Sequence, residues 1–186
     1  MRAFIAIELS EPIRNALSQI ESHLKYSGAD VKWVKEENIH LTLKFLGEAA
    51  EDKIEEIKSI LDEIARGTKP FKITIKDIGA FPRIECPRVI WVGLDKGANE
   101  AQILAEVIDA ALSKIGYQRE TRPFASHLTI GRVRSPKNKD ALKEKLATYH
   151  LSPMTHDLIT SITLFQSALR PEGPIYKKLY EARLSG

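Results

Sequence analysis

Shifted by 87 residues, this sequence lies on itself. His40-Leu41-Thr42-Leu43 falls on His127-Leu128-Thr129-Ile130, and Phe4-Ile5-Ala6-Ile7 falls on Trp91-Val92-Gly93-Leu94. At the same offset Leu17 and Ile20 meet Leu104 and Val107, and an acidic segment at 52–66 lands near a basic one at 138–147. Phe71, Ile73 and Ile75 land on Leu158, Thr160 and Ile162. A single offset that carries strands, helices and a tetrapeptide in one order implies a duplicated unit: strand, helix, strand, helix, strand, twice. The units span approximately residues 2–79 and 88–166 of one 186-residue domain made of two interleaved lobes.

Each unit is written in ordinary periodicities. Phe4-Ile5-Ala6-Ile7 is a buried strand, and Ser10 before Pro12 starts a helix with Ser10 as its N-cap. Ile13, Ala16, Leu17, Ile20 and Leu24 form one helical face, and Gly28 closes it. Residues 39–46 form a second strand, and Ile54, Ile57, Leu61 and Ile64 the stripe of a second helix ending at Gly67. A third helix runs from about Asn99 to Ile115. Residues 71–79 and 88–94 are joined by a turn around Phe81-Pro82-Arg83, too short for a parallel crossover. Residues 158–166 and 174–183 are joined the same way. The expected fold is therefore α+β: two antiparallel sheets related by a pseudo-two-fold duplication, helices outside, and a central cleft.

Composition narrows the function classes. One cysteine, Cys86, rules out an internal disulfide and a thiolate metal cage, and Cys86 reads as a small buried side chain. No apolar run approaches the ~20 residues of a membrane span. The N-terminus reaches Glu8 too early for a signal peptide, so a cytoplasmic protein is expected. The net charge of +3 makes no case for nucleic-acid binding, but residues 114–145 hold nine basic against three acidic side chains. That stretch reads either as solvated surface or as a positive face beside a polyanion site.

The chemistry lies in the two His-x-Thr pairs. In a strand, residues i and i+2 share a face. His40 points with Thr42 and His127 with Thr129, while Leu41, Leu43, Leu128 and Ile130 face an apolar layer. A pseudo-two-fold axis would bring both imidazoles and both hydroxyls together. In-line displacement at phosphorus needs that set: a neutral histidine to take the nucleophile's proton, and a protonated one to give a proton to the leaving oxygen. Threonine hydroxyls can donate to the non-bridging oxygens. No cofactor or metal is required, and two histidines without Asp, Glu or Cys at ligand spacing leave a coordination shell unfilled. No glycine-rich phosphate loop and no GxSxG elbow is present.

Other residues carry two readings each. Strict alternation puts Arg132 on the face opposite His127; a bulge at Gly131 would re-aim it, and otherwise it is a surface charge. Lys44 shares a face with His40 and Thr42, as a phosphate ligand or a solvated strand-end lysine. Phe45 either stacks a base or, more simply, packs in the core. Trp33 and Trp91 read as core or lobe-interface aromatics. His23, His150 and His156 lack a threonine two residues on and read as structural or exposed.

Three segments together, MRAFIAIEL, HLTLKFLGE at 40–48 and RPFASHLTIGR at 122–132, resemble the 2H phosphoesterases over essentially the whole chain. Within them the nearest resemblance is to RNA 2′,3′-cyclic phosphodiesterases, historically called 2′-5′ RNA ligases. It implies a bilobal fold and metal-free hydrolysis of RNA 2′,3′-cyclic phosphate ends to 2′-phosphomonoesters. His40 would then be the proton donor, His127 the acceptor, Thr42 and Thr129 the phosphate grip, and Arg132 a phosphate or RNA ligand. Some members also join tRNA halves, the same transfer with a 5′-hydroxyl in place of water. Where relatives often have proline before the second histidine this chain has Ser126, which bears on how the strand begins rather than on proton transfer. The implied partner is RNA or a nucleotide, with no obligate protein partner. The competing readings are a non-catalytic RNA-end or nucleotide-binding module and a phosphodiesterase for small cyclic nucleotides.

Overall fold

A computed structural model describes residues 1–150, 156–171 and 173–186. In chain order the elements are β1 (Arg2–Glu8), α1 (Glu11–Lys25), β2 (Val31–Trp33), β3 (His40–Glu48), α2 (Ile54–Arg66), β4 (Phe71–Arg83) and β5 (Cys86–Leu94). There follow α3 (Ala98–Ser113), β6 (His127–Val133), α4 (Lys139–Thr148), β7 (His156–Ile159), β8 (Ser161–Arg170) and β9 (Gly173–Arg183). The strands form two sheets, β3-β1-β8-β9 and β2-β6-β5-β4-β7, paired antiparallel throughout the described residues. The α+β architecture is as the loop lengths require. No helix among the described residues is long and apolar enough to cross a membrane.

The last strand of each half crosses into the other sheet. β4 pairs with β5, and β8 pairs with β1. Each half thus completes its sheet with a strand from the other, and the core is continuous. Ile5, Ile7, Leu41 and Leu43 share one apolar cluster with Ile90, Val92, Leu128 and Ile130. The helices cover it with their periodic stripes: Ile13, Leu17, Ile20 and Leu24 from α1, and Ile57 and Leu61 from α2. A second, smaller cluster of Phe4, Ala6 and Phe165 lies apart from that core. It comes from the even-numbered face of β1, since Phe4 and Ala6 point opposite to Ile5 and Ile7.

Four local expectations are corrected. Phe81-Pro82-Arg83 is not the turn: these residues stay in β4, opposite Val89, Pro87 and Cys86, and the strands reverse at Ile84-Glu85. Pro82 faces Pro87 at a register shift, where two residues without N–H groups leave the ladder little to lose. The strand expected over 158–166 is two strands broken at Thr160. β7 pairs with β4 in one sheet and β8 with β1 in the other, so Leu158 is exposed while Ile159 and Ile162 are buried. Ser10 does stand at the N-cap of α1, but its side chain makes no cap bond; its backbone N–H donates to the Asp157 carboxylate at 2.6 Å. Cys86 is only half-buried, with the Lys139 ammonium 3.6 Å from its sulfur.

Candidate active site

Both histidines stand at the first residue of their strands, β3 and β6, which approach to within 8 Å between Cα atoms where the two sheets meet. Their alternate residues Leu41, Leu43, Leu128 and Ile130 are all buried in the shared core. His40, Thr42, His127 and Thr129 are half-buried on the faces turned away from it.

Each imidazole is fixed by the same bond. His40 Nδ1 donates to the Asn38 carbonyl at 2.8 Å, and His127 Nδ1 donates to the Ala125 carbonyl at 2.7 Å. A carbonyl only accepts, so the proton is on Nδ1 in both rings. Nε2 is left to accept a proton when the ring is neutral and to donate one when it is charged. This is the tautomer that general acid–base work at Nε2 needs, set twice by backbone two residues upstream.

The surroundings of the two rings differ. Phe4 stacks on His40 at 4.8 Å, and the edge of Tyr176 meets it at 5.2 Å. Burial among these rings disfavours the imidazolium and pushes the His40 pKa below its usual 6.5, against the opposing effect of the bond to Asn38. Glu8, directly across the ladder from His40, is occupied by Lys178 at 2.5 Å and by the Thr163 hydroxyl at 3.0 Å. His127 instead meets the edge of Phe81 at 5.0 Å and pairs with Gly93. In an NMR titration of the free protein, the His40 ring is expected to reach its midpoint below 6.5, and to move upward when inorganic phosphate is added. A midpoint at or above 6.5 without phosphate would remove the desolvation argument.

A matched pair of bulges decides what else joins these faces. Ala6 lies opposite Thr42 and Ile5 opposite Lys44, so β3 holds an extra residue at Leu43-Lys44. Trp91 lies opposite Thr129 and Ile90 opposite Gly131, so β6 holds one at Ile130-Gly131, 87 residues later. Each bulge inverts the alternation that follows it. Arg132 is therefore exposed on the His127 side, not on the opposite face that strict alternation gives, and its charge reaches the Tyr176 hydroxyl beside His40. Phe45 is not core: it is 67% exposed, with its ring 6.1 Å from Phe4.

The same inversion corrects the reading of Lys44. It turns inward, away from His40 and Thr42, and is 3% exposed, donating to Asp109 and to the Gln118 carbonyl at 2.6 Å each. At the equivalent inward position, Gly131, a Cβ would lie 3.0 Å from the Trp33 ring. Trp33 packs against the core from that side, as expected. The register also shows that β1 and β5 match at an offset of 85 rather than 87. Ala6 beside Thr42 corresponds to Trp91 beside Thr129, so Trp91 borders the second threonine.

Sequence reading missed Tyr176, Phe4 and Phe81 as neighbours of the histidines. Only the alternation of β1 carried a signal, since Ile5 and Ile7 facing the core force Phe4 to the other side. Tyr176 and Phe81 reach the site through strand pairings distant in sequence. A cavity of about 350 Å³ opens beside His40, lined by Arg14, Lys35, Tyr176 and Lys178 among others; His127 is not in its walls. His23 is packed against Tyr149 at 4.9 Å.

Comparison with known proteins agrees with the duplicated fold. The family model for LigT like Phosphoesterase matches twice, over residues 7–91 and 92–176. An RNA 2′,3′-cyclic phosphodiesterase of Methanothermobacter thermautotrophicus is 36% identical over 184 residues, covering 99% of each chain. One of Methanocaldococcus jannaschii is 39% identical over 97% of this chain and 99% of its own. One of Thermotoga maritima is 39% identical over 100% and 97%. Among solved structures, a protein of Thermus thermophilus superposes with a TM-score of 0.84 at 27% identity, covering 100% of this chain and 99% of that one. E. coli LigT complexed with NADP+ superposes with a TM-score of 0.77 at 26% identity, covering 100% and 98%. With its histidine strands repeated at one spacing and both halves of the chain matched separately, this chain belongs to the LigT-like phosphoesterases of the 2H superfamily.

Proposed function

We propose that this chain hydrolyses the 2′,3′-cyclic phosphate at the end of an RNA, leaving a 2′-phosphomonoester. The observation that carries the reading is the duplicated anchoring of the two imidazoles, Nδ1 to a backbone carbonyl and Nε2 without a partner among the described residues. His127 takes the proton of the attacking water and His40 gives one to the departing 3′-oxygen. Thr42 and Thr129 donate to the non-bridging oxygens, whose charge rises in the transition state. Arg132 adds positive charge for the phosphate, and exposed Phe45 offers a face on which a base can stack. Desolvation makes His40 a reluctant cation in the free protein, and the negative phosphodiester beside Nε2 offsets that, so its donor form is favoured with substrate bound. With a 5′-hydroxyl in place of water, the same steps join two RNA ends, such as tRNA halves, through a 2′-5′ bond. The 350 Å³ cavity beside His40 suits the nucleoside that carries the departing oxygen.

The test is an RNA oligonucleotide ending in a 2′,3′-cyclic phosphate, with its products separated by position of the phosphate. The expected result is the 2′-phosphate, formed equally fast in EDTA, because two imidazoles and two hydroxyls supply the acid, the base and the charge stabilisation. A 3′-phosphate product, or no turnover, would overturn the proposal. A second reading is favoured by one observation: E. coli LigT has been crystallised with NADP+ and with ATP, ligands of mononucleotide or dinucleotide size. Faster turnover of a cyclic mononucleotide than of the oligonucleotide would select it.

A further inference from the structure

Lys44 sits where a charge is costly, with its ammonium inside the core, and it belongs to neither proton-transfer step. Its partners are informative. Asp109 of α3 accepts from Lys44 at 2.6 Å, from the Glu120 backbone N–H at 3.1 Å and from Arg119 Nε at 2.8 Å. Lys44 also donates to the Gln118 carbonyl at 2.6 Å and lies 3.6 Å from the Glu120 carboxylate. Burial works to raise the Asp109 carboxyl, but these donors and charges outweigh it and hold the group ionised, below the usual carboxylate range. Three successive residues, 118–120, are thus tied to one buried pair. They begin the irregular segment that runs to Ser126, and within it Ala125 supplies the carbonyl that fixes the tautomer of His127. Lys44 itself comes from β3, four residues after His40.

We propose that Lys44 and Asp109 are positioning residues that couple the two catalytic strands. The pair holds the start of the 118–126 segment against β3, and so holds the Ala125 carbonyl and the His127 ring in register with His40. The inference rests on the phosphodiesterase reading for its kinetic test, but its spectroscopic test needs no substrate.

The experiment compares Lys44→Met, Asp109→Asn and the double variant Lys44→Met/Asp109→Leu with the wild type. Replacing a buried ion pair by apolar residues of similar volume is often neutral or stabilising, so the double variant is expected to recover the melting temperature the single variants lose. If the pair positions His127, kcat on the cyclic-phosphate substrate stays about 10- to 100-fold low in that stable double variant, with KM within about twofold, the scale of an ångström-level misplacement. Recovery of kcat together with stability would show a purely structural pair and overturn the proposal, as would wild-type kcat in both single variants. If the double variant does not fold, Asp109→Asn is read by NMR. Faster solvent exchange of the His127 Nδ1 proton, with that of His40 unchanged, supports the proposal, and unchanged exchange at His127 overturns it. Absence of turnover in the wild type would sink the phosphodiesterase reading and leave this NMR comparison decisive.

Discussion

Replacing either His40 or His127 with alanine is expected to lower kcat on a 2′,3′-cyclic phosphate end by about 10²–10⁴-fold, the usual worth of one general acid or base. The double variant should lose less than the product of the two, because a donor without an acceptor retains little to do. The pH dependence of the residual activity separates the roles. With His127 gone, the remaining requirement is a protonated His40, so kcat/KM should be flat in acid and fall as pH rises through the His40 pKa. That fall should come early, because desolvation by Phe4 and its neighbours depresses this pKa in the free protein. Activity of the His127 variant that instead rises with pH would reverse donor and acceptor. Wild-type rates in both variants would end the acid–base mechanism.

The parts of this site that were legible in the sequence are those set by local periodicity. An alternating strand carries its own facing rule, so His40 with Thr42 and His127 with Thr129 could be paired before any fold was known, and Leu41 and Leu128 assigned to the core. The faces of α1 and α2 were legible for the same reason, whereas Val107 of α3, which the repeat aligns with buried Ile20, is exposed. What failed were features created between strands. Nothing in Leu-Thr-Leu-Lys-Phe marks a bulge, since the segment alternates well; the extra residue exists only against β1, where Ile5 meets Lys44 and Ala6 meets Thr42. That one residue moves Lys44 from the face of His40 and Thr42 into the core and Phe45 from the core side to the surface. In the second half Gly131 was a usable signal, because glycine inside a strand often marks a bulge or a close approach. The structure has both, with Trp33 lying where a side chain at 131 would be. The two-residue difference in register between β1 and β5 was likewise invisible, yet it puts Ala6 beside Thr42 and Trp91 beside Thr129.

The two threonines carry the last expected result. Thr42→Val and Thr129→Val keep the β-branched shape that suits a strand, and each removes one hydroxyl donor. Loss of a donor aimed at developing negative charge typically costs about 10²–10³-fold in kcat. Losses of similar size are expected at the two positions, since each hydroxyl is half-buried on the face it shares with its histidine. Serine at either position should restore most of the rate, since it returns the hydroxyl and omits only the methyl group. Melting temperatures should change little in all four variants, because both positions face away from the core. Steady-state kinetics on the cyclic-phosphate substrate check each step. Rates within about threefold of wild type in both valine variants would detach the hydroxyls from the phosphate.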